Sequence, residues 1–470
     1  MKQNKIILLM LSVICVVAAG MMKVSAETDG YFTYDTSPDG KATIVYCDGQ
    51  VTGDVIIPEM VGKYPVKIIG DRVFRHCSNI TSVEIPYGVE IIEDSAFADC
   101  DKLERLVIPE SVTYIGDMAF EGCTSLAEVR VPDGVGRIQE WTFKDCKSLR
   151  KIILPDGVTH IDELAFAGCI SLVEIKIPDS VTNIGEFAFE DCKSLETIEI
   201  PERVTTISDY LFRNCKNLKT IKISGDVTSI GVYAFYSCES LENIAIPDSV
   251  TSIGAYAFKG CISLEKIEIP DGVTSIENEL FCFCQRLTDV TMSRNVTNVG
   301  ESAFAYCYNL KSITIPEKVT VIEDGIFSGC KSLEYIVIPK SITNIGKRIF
   351  YHCTNLTDVY FGGTENEWNS IFDNGFNVQP ETVVIHFGPV TKTTISEDGK
   401  MFTVAPINIE NGKIIVFALY SNDMFAGLQT AVCNGESIDF EASAAYTNVK
   451  VMVWNDLKGF KPLCDVEIVK

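Results

Sequence analysis

Thirteen cysteines, Cys77, Cys100, Cys123, Cys146, Cys169, Cys192, Cys215, Cys238, Cys261, Cys284, Cys307, Cys330 and Cys353, recur every 23 residues. Thiols in such a row could bind metal, carry redox chemistry or cross-link. Stacked one repeat apart, they would stand roughly 5 Å from one another, the separation of neighbouring strands. A metal site needs cysteines in local groups converging on one point, whereas these would project in parallel and are flanked by Phe and Leu. Parallel side chains also make poor disulfide partners, and an odd count leaves one over. The row therefore reads as buried thiols acting as small apolar residues. Cys433 and Cys464, near the C-terminus, are separate candidates for a disulfide, while Cys47 and Cys282 have no evident partner.

Other reactive residue types are equally uninformative as sites. His76, His160, His352 and His386 are scattered, with no metal-binding spacing, and read as surface or cap residues. No G-x-S-x-G, H-E-x-x-H or phosphate-binding glycine loop is present. With 64 Asp and Glu, chance carboxylate pairs are unavoidable, so no pair can be singled out for glycoside hydrolysis. The expectation is no catalytic residue, no metal, no cofactor and no enzyme activity.

The elements that hold the cysteines in line follow from one unit, Leu103 to Ser125, which reads LERLVIPESVTYIGDMAFEGCTS. Leu106 and Ile108 alternate with Arg105 and Val107, the period of a strand with one buried face. Pro109 ends it, because proline cannot donate to a ladder. Val112 and Ile115 form a second short apolar stretch. Ala119, Phe120 and Cys123 then fall at i, i+1 and i+4, which predicts a short helical turn after Gly116. Ordering 23 residues costs on the order of 35 kcal/mol, while about eight apolar side chains contribute roughly 1.5 to 3 kcal/mol each. No coil stands alone, so stacking is compulsory and the ends need caps.

The string I-P…V-x-x-I-G-x-x-A-F-x-x-C-x-S/N-L resembles the BspA-like, or treponemal-type, class of leucine-rich repeats. It departs from the L-x-x-L-x-L-x-x-N/C-x-L repeat, because the Asn/Cys slot falls on Ser111 and the final Leu slot on Thr113. The resemblance implies a leucine-rich-repeat solenoid, a parallel β-sheet with short helical turns in about thirteen coils. It also implies export to the surface or medium of host-associated microbes and a role in adhesion.

Residues 1–26 carry Lys2 and Lys5, an apolar run from Ile6 to Met22 and the tripeptide Val24-Ser25-Ala26, the pattern of a secretory signal peptide. Its removal takes the formal charge from −24 to −27 and leaves no expected membrane span. That charge, without a basic stripe, argues against nucleic acid as a partner. Residues 27–62 read as a hairpin and cap, around Ser37-Pro38-Asp39-Gly40. The array runs over 63–388, closed by a helical turn at Trp368, Ile371 and Phe372 and a last strand from Val383 to Phe387. Beyond it, 389–470 loses the period. Six β-type segments there suggest a small β-sandwich-like module.

Since the repeated columns are structural, recognition falls to the outward strand positions that vary. Arg105, Glu128 and Lys151 form one row, with alternating charge, and Val107, Arg130 and Ile153 its neighbour. Near the end of the array Tyr335, Val337, Asp358 and Tyr360 bring two tyrosines, an aliphatic residue and an acid together, the composition of an interface hot spot. The expected function is extracellular recognition or adhesion to a host matrix or cell-surface protein. Carbohydrate binding through the C-terminal module and a non-binding spacer are the alternatives. Oligomeric state is not encoded in any of these features.

Overall fold

The computed structural model describes residues 31–372 and 383–388 in full, and the backbone alone of Glu27–Asp29 and of seven strands from Val390 to Val469. Residues 1–26, Cys433 and Cys464 lie outside the described residues. The chain divides into two compact units, Met1–Leu195 and Glu196–Lys470.

Each 23-residue repeat is one coil of a parallel β-solenoid. In the unit Leu103 to Ser125, strand Arg105–Val107 exposes Arg105 and Val107 and buries Leu106. It pairs in parallel with Ile80–Glu84 one coil earlier, Val83 opposite Leu106. The turn after it is closed by the Val112 N–H donating to the Pro109 carbonyl at 3.0 Å. Strand Tyr114–Ile115 then pairs in parallel with Ile91–Ile92. The coil thus has two short strands, each sharing a ladder with a neighbouring coil and each turning one face inward.

The third side of the coil is not helical. From Asp117 to Cys123 the N–H groups alternate in direction. Those of Met118, Phe120 and Gly122 donate to the next coil, at Glu140, Thr142 and Lys144, over 2.8–2.9 Å. Those of Ala119, Glu121 and Cys123 close four-residue turns onto the carbonyls of Gly116, Met118 and Phe120. An α-helix keeps all its backbone bonds inside the segment, so it cannot supply this ladder. The Ala-Phe-x-x-Cys face is met instead by consecutive turns, each resetting the chain through a left-handed residue: Met118 has φ 56° and Gly122 φ 70°. The same two positions are left-handed in every coil, from Arg72 and His76 to Arg348 and His352. The predicted helical turns therefore do not form.

The core repeats with the coil. In the first unit Phe74, Phe97, Phe120, Phe143, Phe166 and Phe189 form a stack with centroid spacings of 4.8–5.6 Å and nearly parallel planes. In the second, Phe212, Phe235, Phe258, Phe281, Phe304 and Phe327 do the same at 5.3–6.0 Å. Such offset pairs contribute about 0.5–1.5 kcal/mol beyond burial.

Strands close each end of the array. Strands Phe32–Thr36 and Ala42–Cys47 make an antiparallel hairpin, and the second pairs in parallel with Tyr64–Ile69, handing the ladder to the coils. Gly40, at φ 82°, lets the hairpin turn close. Strand Gly53–Ile56 pairs with Ile80–Glu84 and is the sheet strand of a degenerate first coil. At the other end helix Glu365–Ile371 opens on a capping box between Thr364 and Glu367 and buries Trp368 against Phe372, 4.7 Å between rings. Strand Val384–Phe387 pairs with Asp358–Phe361 and finishes that sheet. From Val390 onward the backbone forms two antiparallel sheets, one of three strands and one of four. All six segments anticipated there are strands, and Val390–Ile395 is an additional one.

Candidate interaction surface

Strand alternation delivers the first predicted row to solvent. Arg105, Val107, Glu128, Arg130, Lys151 and Ile153 are all exposed. Val107 is 74% and Ile153 41% accessible. Glu128 stands in register with Lys151 and Arg130 with Ile153. The degenerate first coil extends the row with Ile56, 69% accessible and in register with Glu84 and Val107. Ile56 is not among the residues expected from the repeat. The Ile57-Pro58 step, the same Ile-Pro as in the later coils, is the signal that finds it.

The charges on this face do not pair along the alternating row. Arg105 reaches across an intervening coil to Asp54, Nη2 to Oδ1 3.3 Å. Hydrogen bonds from Ser82 and Thr81, with the Arg105 charge, hold the Asp54 carboxyl below its usual range. Arg130 turns to the loops, meeting Glu110 at 3.3 Å and Asp133 at 3.2 Å. Glu128 and Lys151 have no ion pair among the described residues, although they face each other in register. Exposed apolar side chains are thus interleaved with charges still open to a partner.

The second predicted patch is more closed. Tyr335, Asp358 and Val384 are in register, as are Val337, Tyr360 and His386. The rings of Tyr335 and Tyr360 meet edge to face at 6.0 Å, and Tyr360 stacks on His386 at 4.6 Å. His386 Nε2 lies 2.7 Å from Asp358 Oδ1. Val337 is fully buried, contrary to the expectation of an exposed aliphatic contact. It stands in register between Thr314 and Tyr360. The two tyrosines and Asp358 are half-buried, and His386, read as a cap residue, completes their cluster.

A third feature is absent from the sequence expectations. The first left-handed position of each coil carries Tyr210, Tyr233 and Tyr256 in succession, with rings stacked at 5.0 and 4.5 Å. Arg213 lies over Tyr210 and Tyr236, and Lys259 over Tyr256. Their 23-residue spacing is visible in the chain, but on a helical turn it would carry no such stack.

The cysteine row is confirmed as core. All its members are buried and free. Along the row the Sγ donates to a Phe carbonyl 26 residues earlier, as Cys123 does to Phe97 at 3.2 Å and Cys353 to Phe327 at 3.1 Å. Burial pushes the Cys353 thiol up to about 12, and those of Cys123, Cys146 and Cys169 well above the ordinary range. The neighbouring Cys77 thiol and burial push the Cys47 thiol above its ordinary range, and its Sγ donates to the Asp48 carbonyl at 3.7 Å. Among the described residues no group of three or more His, Cys, Asp or Glu is placed to hold a metal, and no helix is long and apolar enough to cross a membrane.

Stacked coils with a repeating apolar interior and a varied surface define a solenoid repeat protein of the leucine-rich-repeat kind. The BspA type leucine rich repeat region matches in six copies, over 57–171, 136–265 and 251–379, and the chain belongs to that family. Among solved structures, a leucine-rich repeat protein from Bacteroides ovatus is 29% identical with a TM-score of 0.63, covering 77% of this chain and 99% of that one. A leucine rich cell surface protein from Faecalibacterium prausnitzii is also 29% identical, covering 76% and 98%, with a TM-score of 0.42. The pneumococcal vaccine antigen PcpA is 18% identical, covering 80% and 95%, with a TM-score of 0.46. No curated protein matches the chain.

Proposed function

We propose that this chain is an extracellular recognition protein that binds a protein partner, a host matrix or cell-surface protein, through the exposed face of its repeat sheet. Family members are generally surface adhesion and recognition proteins. The observation that carries the reading is the row Ile56, Val107 and Ile153, exposed apolar side chains that contribute nothing to the coil interior. They alternate along the face with Glu84 and Arg130, the mix of apolar anchors and charges that a protein partner can match. Arg105, Glu128, Arg130 and Lys151 around them supply the polar rim that fixes orientation. In this reading 63–388 is the binding array behind a 27–62 cap, 1–26 directs export, and 389–470 is a separate β-sandwich-like module.

The test is binding of the full secreted chain to immobilised matrix proteins before and after Val107→Ser with Ile153→Ser. Loss of binding with an unchanged melting temperature supports the sheet face. Equal binding by both chains, or none by either, overturns it.

A further inference from the structure

We infer that the turn edge of the last coils holds a saccharide-binding notch, at a place no strand residue reaches. The column of left-handed positions that carries Tyr210, Tyr233 and Tyr256 shrinks to Ser302 and Gly325 before widening again at Arg348. The shrinkage opens a depression of about 390 Å³, lined by Glu301, Tyr306, Asp324, Ser328, Lys347 and Arg348 around those two small residues.

One wall is a fixed aromatic ring. Tyr306 stacks on Phe283 at 4.5 Å and leans over Gly329, where a Cβ would fall 2.6 Å from its ring. Tyr308 meets its edge at 6.4 Å. The ring is half-buried and held from several sides, which spares a ligand the cost of ordering it.

The charges point to a neutral ligand. Glu301 and Asp324 balance Lys347 and Arg348, so the notch offers no net attraction to a phosphate, a carboxylate or a cation. Among the described residues the Glu301 carboxylate and the Arg348 guanidinium make no hydrogen bond or ion pair. They stand two coils apart, roughly 10 Å, on opposite rims. A carboxylate and a guanidinium each present two parallel hydrogen-bonding directions, suited to neighbouring hydroxyls, and Ser302 and Ser328 add single ones. Balanced charge, planar polar groups, an aromatic wall and an open shape are the chemistry of an oligosaccharide end.

The test is saturation-transfer NMR on the full chain with a panel of neutral oligosaccharides, chitobiose, cellobiose and lactose among them. Gly325→Tyr refills the notch with the residue this column accepts, at the same backbone angle, at Tyr210, Tyr233 and Tyr256. Glu301→Gln with Arg348→Gln keeps the shape and removes the charge assistance. The expected result is saturable binding of at least one sugar, abolished by Gly325→Tyr and weakened about tenfold or more by the double variant. No binding across the panel overturns the inference. So does binding that survives both variants, which would place the sugar elsewhere, and so does preference for a zwitterionic dipeptide over every sugar. If Gly325→Tyr lowers the melting temperature, the double variant alone decides.

Discussion

Replacing Phe143 separates what the aromatic stack contributes from what volume contributes. The side chain is fully buried and lies between Phe120 at 5.5 Å and Phe166 at 5.6 Å, with planes within 12°. Phe143→Ala removes a whole ring from a site whose backbone is bonded to coils on either side and cannot collapse, so a cost of about 3–5 kcal/mol is expected. Phe143→Leu keeps most of the volume and loses two stacked contacts, about 1–3 kcal/mol at 0.5–1.5 each. Urea unfolding reads both, and Trp141, two residues away with Lys144 Nζ 3.8 Å above its ring, is a built-in fluorescence reporter. A Phe143→Leu midpoint equal to wild type would show that stacking adds nothing beyond apolar volume, and would refute the aromatic ladder as a separate source of stability.

Other expectations follow from the same geometry. Burial, with Asp94 and Glu140 beside it, raises the Asp117 carboxyl above its ordinary value. Its folded form holds the proton more tightly than the unfolded one, so it opposes folding at neutral pH and that opposition fades as pH falls through the raised pKa. Asp117→Asn should therefore raise the melting temperature at pH 7 and not at pH 3; an equal change at both would discard the electrostatic explanation. Asp54 has the opposite sign. Its lowered pKa makes its contribution present above the unfolded value and lost as pH falls through the folded one, so Asp54→Asn should flatten the acid limb of the stability profile. Iodoacetamide on the native chain should leave Cys123, Cys238 and Cys353 unlabelled by mass spectrometry until denaturant is added; labelling under native conditions would contradict their burial. Tyr335→Ala with Tyr360→Ala should weaken matrix-protein binding only if the terminal cluster takes part, and undiminished binding removes it from the interface.

The coil was readable because its inward residues repeat. Leu106, Ile108, Val112, Ile115, Phe120 and Cys123 each keep their place, and both caps announce themselves by turn residues and aromatics. The turn edge misled because Ala119, Phe120 and Cys123 suit a helical face and a run of turns equally well. The discriminating column was the one holding Gly122, Gly168, Gly260, Asp99 and Asn214, residue types that tolerate left-handed backbone. Bulky residues such as Trp141 and Tyr233 at the other left-handed position gave no such hint. On the sheet, outward direction was legible for Val107 and Ile153 from alternation alone. Burial of Val337 was not, because alternation places it outward and its neighbours come from other coils, and partners such as Asp54 for Arg105 lie 51 residues away in a coil that barely matches the repeat.

Within each unit the turn edge passes hydrogen bonds from coil to coil, as do stretches of the two strand sides, so a coil is tied to its neighbours at several points of its perimeter. The bonds of the turn edge are made by the backbone and do not require any one side chain at the first left-handed position, so Met118, Trp141, Tyr233, Ser302 and Gly325 can occupy equivalent places. Such a perimeter works as a printing frame: the backbone sets the line spacing, and any single character can be replaced without resetting the page. Gain or loss of a whole 23-residue line would leave the remaining lines in register, so new binding faces can arise by duplication and be edited afterwards one residue at a time.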